Sequence, residues 1–118
     1  MPDIQYKSIN FDFNNSAITG GVLTGEVTAN LYNSMLDSTL LKSFKGNVTI
    51  YADDSLVRLG SKNNYKNFDV SVTGDKNSVA EVPRYFSSDF WNCRYFYRDG
   101  AGDYKINIEM KNSVTELY

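Results

Sequence analysis

Histidine is absent from the 118 residues, and cysteine occurs once, as Cys93. The first absence removes the commonest general base, every Ser-His-Asp or Cys-His arrangement, and the commonest transition-metal ligand. The second rules out an intrachain disulfide and a cysteine-built zinc site. The cytosol suits such a chain, and so does an extracellular site that dispenses with disulfides; localisation therefore stays unassigned. No apolar run approaches the ~20 residues that a membrane-spanning helix needs. The first residues, Met1-Pro2-Asp3-Ile4-Gln5-Tyr6, lack a basic segment followed by an apolar one, so no signal peptide is expected. Twelve Lys and Arg stand against 14 Asp and Glu, a net charge of −2. Without a basic excess, neither nucleic acid nor an anionic membrane is an expected partner. Gly20, Gly21 and Gly25 have neither the spacing nor the lysine of a phosphate-binding loop.

Aromatic residues and alternation are what the chain does have. Aromatics make up 14% of the sequence, with nine Tyr and seven Phe, and such side chains suit a pleated, half-buried surface. Apolar residues alternate with polar ones along most of the length. Ile9, Phe11 and Phe13 begin the pattern, followed by Leu23, Val27, Ala29 and Leu31. Phe44, Val48 and Ile50 alternate with Lys45, Asn47, Thr49 and Tyr51; a short strand follows at Leu56-Val57-Arg58-Leu59. Phe68, Val70 and Val72 precede a turn at Gly74-Asp75-Lys76-Asn77, and Pro83 should stop the return strand from Val79 to Val82. Residues 34–44 are ambiguous. Ser34 and Asp37 resemble a helix N-cap, and Leu36, Leu40, Leu41 and Phe44 share a helical face, so a short helix competes there with a loop.

The segments 91–98 and 104–110 predict a hairpin closed by Asp99-Gly100-Ala101-Gly102. Pairing Tyr97 with Tyr104, Tyr95 with Ile106, Cys93 with Ile108 and Trp91 with Met110 puts every apolar residue on one face. The expected fold is a single all-β domain over 1–118: an antiparallel β-sandwich, Ig-like or jelly-roll, of about seven to nine short strands. The Gly-containing turn followed by Tyr104-x-Ile106-x-Ile108 resembles an immunoglobulin-type module over about the last quarter of the chain. Many unrelated β-proteins share that pattern, so no family is assigned on it. No internal repeat, low-complexity tract or interdomain linker stands out.

Candidate chemistry is sparse. Asp53, Asp54, Asp75, Asp99 and Asp103 all fall at expected turns, where aspartate caps the local backbone, so a catalytic carboxylate pair is not the favoured reading. Asp99 and Asp103 flank glycines and form a weak calcium candidate; a hairpin loop explains the same residues without a metal. Cys93 is expected inside, as a small hydrophobe. Asn14-Asn15-Ser16 and Asn47-Val48-Thr49 fit the glycosylation triplet, a pattern that arises often by chance.

The aromatic cluster from Tyr85 to Tyr104, interleaved with Arg84, Arg94 and Arg98, is the best lead toward function. Phe96 falls on the polar face between Arg94 and Arg98, so a partner, a ligand or the chain's own loop should cover it. These three residues are the candidate binding site. The expected function is a non-enzymatic interaction or structural module, self-associating or bound to a protein within a larger assembly, with no cofactor. A carbohydrate-binding module using exposed aromatics is the alternative. An acidic inhibitor and a small carboxylate hydrolase rank lower.

Overall fold

A computed structural model describes residues 5–6, 9–23, 25–40, 46–61, 65, 68–89, 94–98 and 104–118. All regular structure among them is strand: β1 (Gln5–Tyr6), β2 (Ile9–Asn14), β3 (Ala17–Leu23), β4 (Val27–Tyr32), β5 (Met35–Leu40), β6 (Val48–Asp53), β7 (Leu56–Ser61), β8 (Phe68–Gly74), β9 (Val79–Glu81), β10 (Ser87–Asp89), β11 (Arg94–Arg98), β12 (Tyr104–Lys111) and β13 (Val114–Leu117). Among the described residues no helix is long and apolar enough to cross a membrane.

Two sheets face each other. One has the order β1-β3-β5-β7-β13-β9 and the other β10-β11-β8-β12-β6-β4-β2. Every pairing in the first is parallel, and so is every pairing from β2 through β4, β6 and β12 to β8 in the second. Among the described residues only β8·β11 and β11·β10 are antiparallel. The all-β expectation holds, but the antiparallel Ig-like or jelly-roll sandwich does not. The chain winds as a flattened coil, each rung contributing one strand to each sheet: β2–β3, β4–β5, β6–β7, β12–β13 and β8–β9. The smallest dimension, 20 Å, matches two sheets spaced about 10 Å apart with their outward side chains.

Alternation serves this coil as well as it would serve a sandwich, because one face of each strand meets the other sheet and the other face meets water. β4 runs buried-exposed from Val27 to Tyr32, and β12 does the same from Ile106 to Lys111. Stacking sets like on like: Val27, Val48, Ile106 and Val70 form one inward row, and Ala29, Ile50, Ile108 and Val72 the next. Leu36, Val57, Leu59 and Leu117 face them from the opposite sheet. Tyr65 plugs the core from a left-handed backbone conformation (φ 59), its hydroxyl 2.7 Å from Leu59 O and its ring edge-on to Phe86. Burial pushes that hydroxyl's pKa upward.

The corner of each rung is an Asn-Ser or Asp-Ser pair, a repeat that sequence reading overlooks. Asn15, Asn33, Asp54 and Asn112 occupy the left-handed region (φ 56, 48, 50 and 49), which these side chains tolerate better than most. Ser16, Ser34, Ser55, Ser113 and Ser78 follow as a ladder. The Ser16 N–H donates to Ser34 Oγ (3.1 Å), Ser34 N–H to Ser55 Oγ (3.0 Å), Ser55 N–H to Ser113 Oγ (3.0 Å) and Ser113 N–H to Ser78 Oγ (3.1 Å). Each middle serine then donates its hydroxyl to the carbonyl two residues earlier, so one side chain both accepts and donates at the tight corner. Beside this ladder Asn33 Nδ2 donates to Asn15 Oδ1, and Asn112 Nδ2 to Asp54 Oδ1. The Asn14-Asn15-Ser16 triplet is thus the first corner of the coil.

Two local expectations change with the direction of the strands. Residues 35–40 form β5, not a helix: Leu36 and Leu40 point inward with Ser38 between them, and Ser34 is a corner instead of an N-cap. Residues 41–45 lie outside the described set. The hairpin of 91–98 with 104–110 is replaced by a three-strand arrangement in which β8 separates β11 from β12. Tyr95 pairs with Val72, and Val72 with Ile108, so the shared apolar face survives while the pairing partner differs. Trp91 and Cys93 lie outside the described residues.

Rung order departs from chain order. The last rung, β12–β13, sits between β6–β7 and β8–β9, which precede it in sequence. A bulge marks the first rung, where Gly20 (φ +81) and Gly21 share the width of Ser38, whose hydroxyl donates to Gly20 O at 3.2 Å.

Candidate functional site

The outward positions of the β2-β4-β6-β12-β8 sheet form rows across the coil. Asn10, Thr28, Thr49, Asn107 and Ser71 make one, and Asp12, Asn30, Tyr51, Glu109 and Thr73 the next. Asn14, Tyr32, Asp53 and Lys111 make a third. Tyr32 and Tyr51 stand on adjacent strands, 52% and 47% exposed. Asp12, Asn30, Asp53, Glu109 and Lys111 surround them, lining an open depression of about 390 Å³. A second depression of about 270 Å³ shares Tyr51 and Glu109 and runs on over Thr49, Asn107, Ser71 and Thr73. Together they form a trough across several rungs. Among the described residues, neither tyrosine ring stacks on another aromatic. The two ion pairs among those residues both belong to Arg58, on the opposite face. Among the described residues, none of the trough's carboxylates, nor Lys111, is in an ion pair.

The opposite face, over β3-β5-β7-β13-β9, has a different character. The residue after each corner serine is apolar: Ala17, Met35, Leu56, Val114 and Val79 line up along the coil axis. Val79 is 56% exposed and Val114 41%. Beside this stripe runs a charged row in which Arg58 bonds Asp37 Oδ2 (3.0 Å) and Glu116 Oε2 (3.1 Å) and lies 5.4 Å from the Tyr118 ring centroid. The bond to Glu116 and the charges of both carboxylates hold the guanidinium further above its ordinary pKa. A third cleft, of about 390 Å³, at this edge is lined by Glu81, Val82, Pro83, Tyr85, Glu116, Leu117 and Tyr118.

The residues singled out from sequence fare unevenly. Arg94, Phe96 and Arg98 belong to β11, where the register sets them against Thr73, Ser71 and Asp69 of β8. On the other side Phe96 meets Ser87 and Arg94 meets Asp89 of β10, so the backbone of 94–96 is paired on both edges. The side chains of these three residues, and all of Asp99 and Asp103, lie outside the described set. Among the described residues no group of three or more Asp, Glu, His or Cys is placed to hold a metal. The aromatic cluster divides: Phe86 is buried, Tyr95 and Tyr104 pack against the core, and Tyr85 is 45% exposed. Asp54 and Asp75 serve corners, Asp75 accepting bonds from Ser78 Oγ (2.7 Å) and the Asn77 and Asn112 N–H groups.

Tyr32 and Tyr51 were legible by the criterion that singles out Phe96. Each is an aromatic residue in the polar phase of an alternating strand, and Tyr51 stands there beside Asn47 and Thr49. The chain matches no protein-family model, no curated protein and no solved structure. Its function is therefore argued from the chemistry of its own faces.

Proposed function

We propose that this protein is a non-enzymatic interaction module, a rigid coil that presents two chemically distinct faces to a protein partner or to further copies of itself in a larger assembly. The observation that carries this reading is the apolar stripe through Met35, Leu56, Val114 and Val79. Contiguous exposed apolar surface rimmed by charge marks contact sites more often than scattered residues do. The complete absence of histidine supports it, because the commonest acid–base and nucleophile-activating group is missing. Sedimentation velocity across a wide concentration range, on the wild type and on Val79→Lys/Val114→Lys, tests self-association. A concentration-dependent larger species that the double variant abolishes is expected. A wild type that stays monomeric throughout, and that binds any protein partner no better than the double variant does, contradicts the reading.

Carbohydrate recognition is the second reading, favoured by Tyr32 and Tyr51 on the other face. Aromatic rings with amide and carboxylate groups at their rims can stack on sugar rings and bond their hydroxyls. A glycan array tests it: signals that Tyr51→Ala removes are expected, and silence across the array contradicts it.

A further inference from the structure

We infer that the tyrosine trough takes a cationic sugar chain, an oligomer of amino sugars with free amines. The inference rests on the carbohydrate reading above and adds the charge of the ligand. Asp12, Asp53 and Glu109 place three carboxylates around Tyr32 and Tyr51, against the single ammonium of Lys111. None of the four is in an ion pair among the described residues. The surface is thus complementary to positive charge, and the two ring faces reinforce that preference, since a tyrosine face attracts a cation by its quadrupole. Two rings about half exposed on neighbouring strands make a platform, not an enclosing cage. The trough continues past Tyr51 and Glu109 through a second depression, which suits an oligomer better than a single small cation.

A basic peptide would supply the same charge, but the backbone argues against it. Strands β4, β6 and β12 beneath the trough are paired on both edges, so a peptide lying there gains none of the main-chain hydrogen bonds by which extended peptides are held. A sugar chain can be held by ring stacking and side-chain hydrogen bonds without those main-chain contacts.

The test is a titration of the full chain, followed by calorimetry and by amide chemical shifts, with an oligomer of glucosamine at a pH where its amines are protonated. The same titration is run with the fully N-acetylated oligomer, with oligolysine, and on Tyr51→Ala and Glu109→Gln. Both substituted residues point outward, and an unchanged thermal midpoint verifies the fold. The expected result is binding of the free-amine oligomer, weaker binding of the acetylated one, and loss of affinity with added salt. Each substitution should lower the affinity about two- to fivefold, the worth of one exposed cation–π or charge contact. Equal affinity for both oligomers, still weakened by Tyr51→Ala, would overturn the charge preference and leave the carbohydrate reading standing. Binding of neither oligomer would overturn both. Tighter binding of oligolysine, with the same sensitivity to the two substitutions, would overturn the inference in favour of a peptide ligand.

Discussion

Replacing Ser55 with alanine removes a hydroxyl that does two jobs at the middle of the corner ladder. It accepts the Ser34 N–H at 3.0 Å and donates to Asp53 O at 2.8 Å. Ser34 and Ser55 are 8% and 7% exposed, so water cannot readily take over either role. Leaving a buried donor unsatisfied costs about 1–3 kcal/mol, with the missing bond to Asp53 O included in the upper part of that range. A loss of about 2 kcal/mol should lower the thermal midpoint by roughly 6–12 °C for a domain of this size. Ser16→Ala is the internal control. Ser16 ends the ladder: its hydroxyl donates to Asn14 O in an exposed position and accepts no N–H from another rung among the described residues. That change should cost under about 0.5 kcal/mol, the usual range for a surface substitution. Urea unfolding of both variants, with slopes compared to the wild type, gives the two values directly. Equal costs for Ser16→Ala and Ser55→Ala, or a Ser55→Ala protein as stable as the parent, would refute the ladder.

Two further outcomes follow from the turns between strands. Asp75 is held below its ordinary value of 3.8, first by the Ser78 hydroxyl and then by backbone N–H groups, Asn112 first, against the opposing effect of its own desolvation. A depressed carboxylate stabilises the fold above its unfolded-state pKa and loses that contribution as pH falls through the folded one. Asp75→Asn should therefore lower stability by an amount that does not vary with pH above about pH 6, and shrink the fall in stability seen below about pH 4, as read from thermal midpoints across the acid and neutral range. A Cβ added at Gly46 would lie 2.8 Å from the backbone nitrogen of Glu26, where neither chain can yield without moving a rung. Gly46→Ala should destabilise by about 1–3 kcal/mol in the same urea assay.

Period-2 alternation carries which residues face inward but not which strand lies alongside or which way it runs. Val27, Ala29, Leu31, Val48, Ile50, Ile106 and Ile108 were all legible as one buried set, and all are buried. Parallel sheets usually have both faces covered, so half-exposed strands favour an antiparallel reading; a coil whose sheets cover each other escapes that association. The hairpin between 91–98 and 104–110 satisfied the facing rule, yet inserting β8 between the two strands satisfies it equally well, because Val70 and Val72 are in phase with Tyr95 and Ile106. The repeat was hidden by its brevity and uneven spacing. Successive corner serines are 18 and then 21 residues apart, and Asp54 replaces asparagine at the third corner. Taken one at a time, Asn14-Asn15-Ser16 looks like a glycosylation triplet, Ser34 like a helix cap and Asp53-Asp54-Ser55 like a strand end. Only the common apolar residue after each serine joins them, and its significance appears when the rungs are stacked. Tyr32 and Tyr51 are separated by 18 residues of sequence and meet only through that stacking, so their proximity was beyond any reading of one segment at a time.

Placement of the C-terminal rung between two rungs that precede it is the claim on which register, core and trough all depend. Disulfide trapping in a Cys93→Ser background reads it out. Thr49 and Asn107 are paired on β6 and β12, and Asn107 and Ser71 on β12 and β8. Neighbouring strands lie about 4.8 Å apart, within the reach of a disulfide, while strands two apart lie near ~9.6 Å, beyond it. The pairs Thr49→Cys/Asn107→Cys and Asn107→Cys/Ser71→Cys should close under mild oxidation with the fold retained, and Thr49→Cys/Ser71→Cys should stay open. Rapid closure of Thr49→Cys/Ser71→Cys, with Thr49→Cys/Asn107→Cys inert, would show rungs stacked in chain order and contradict the account.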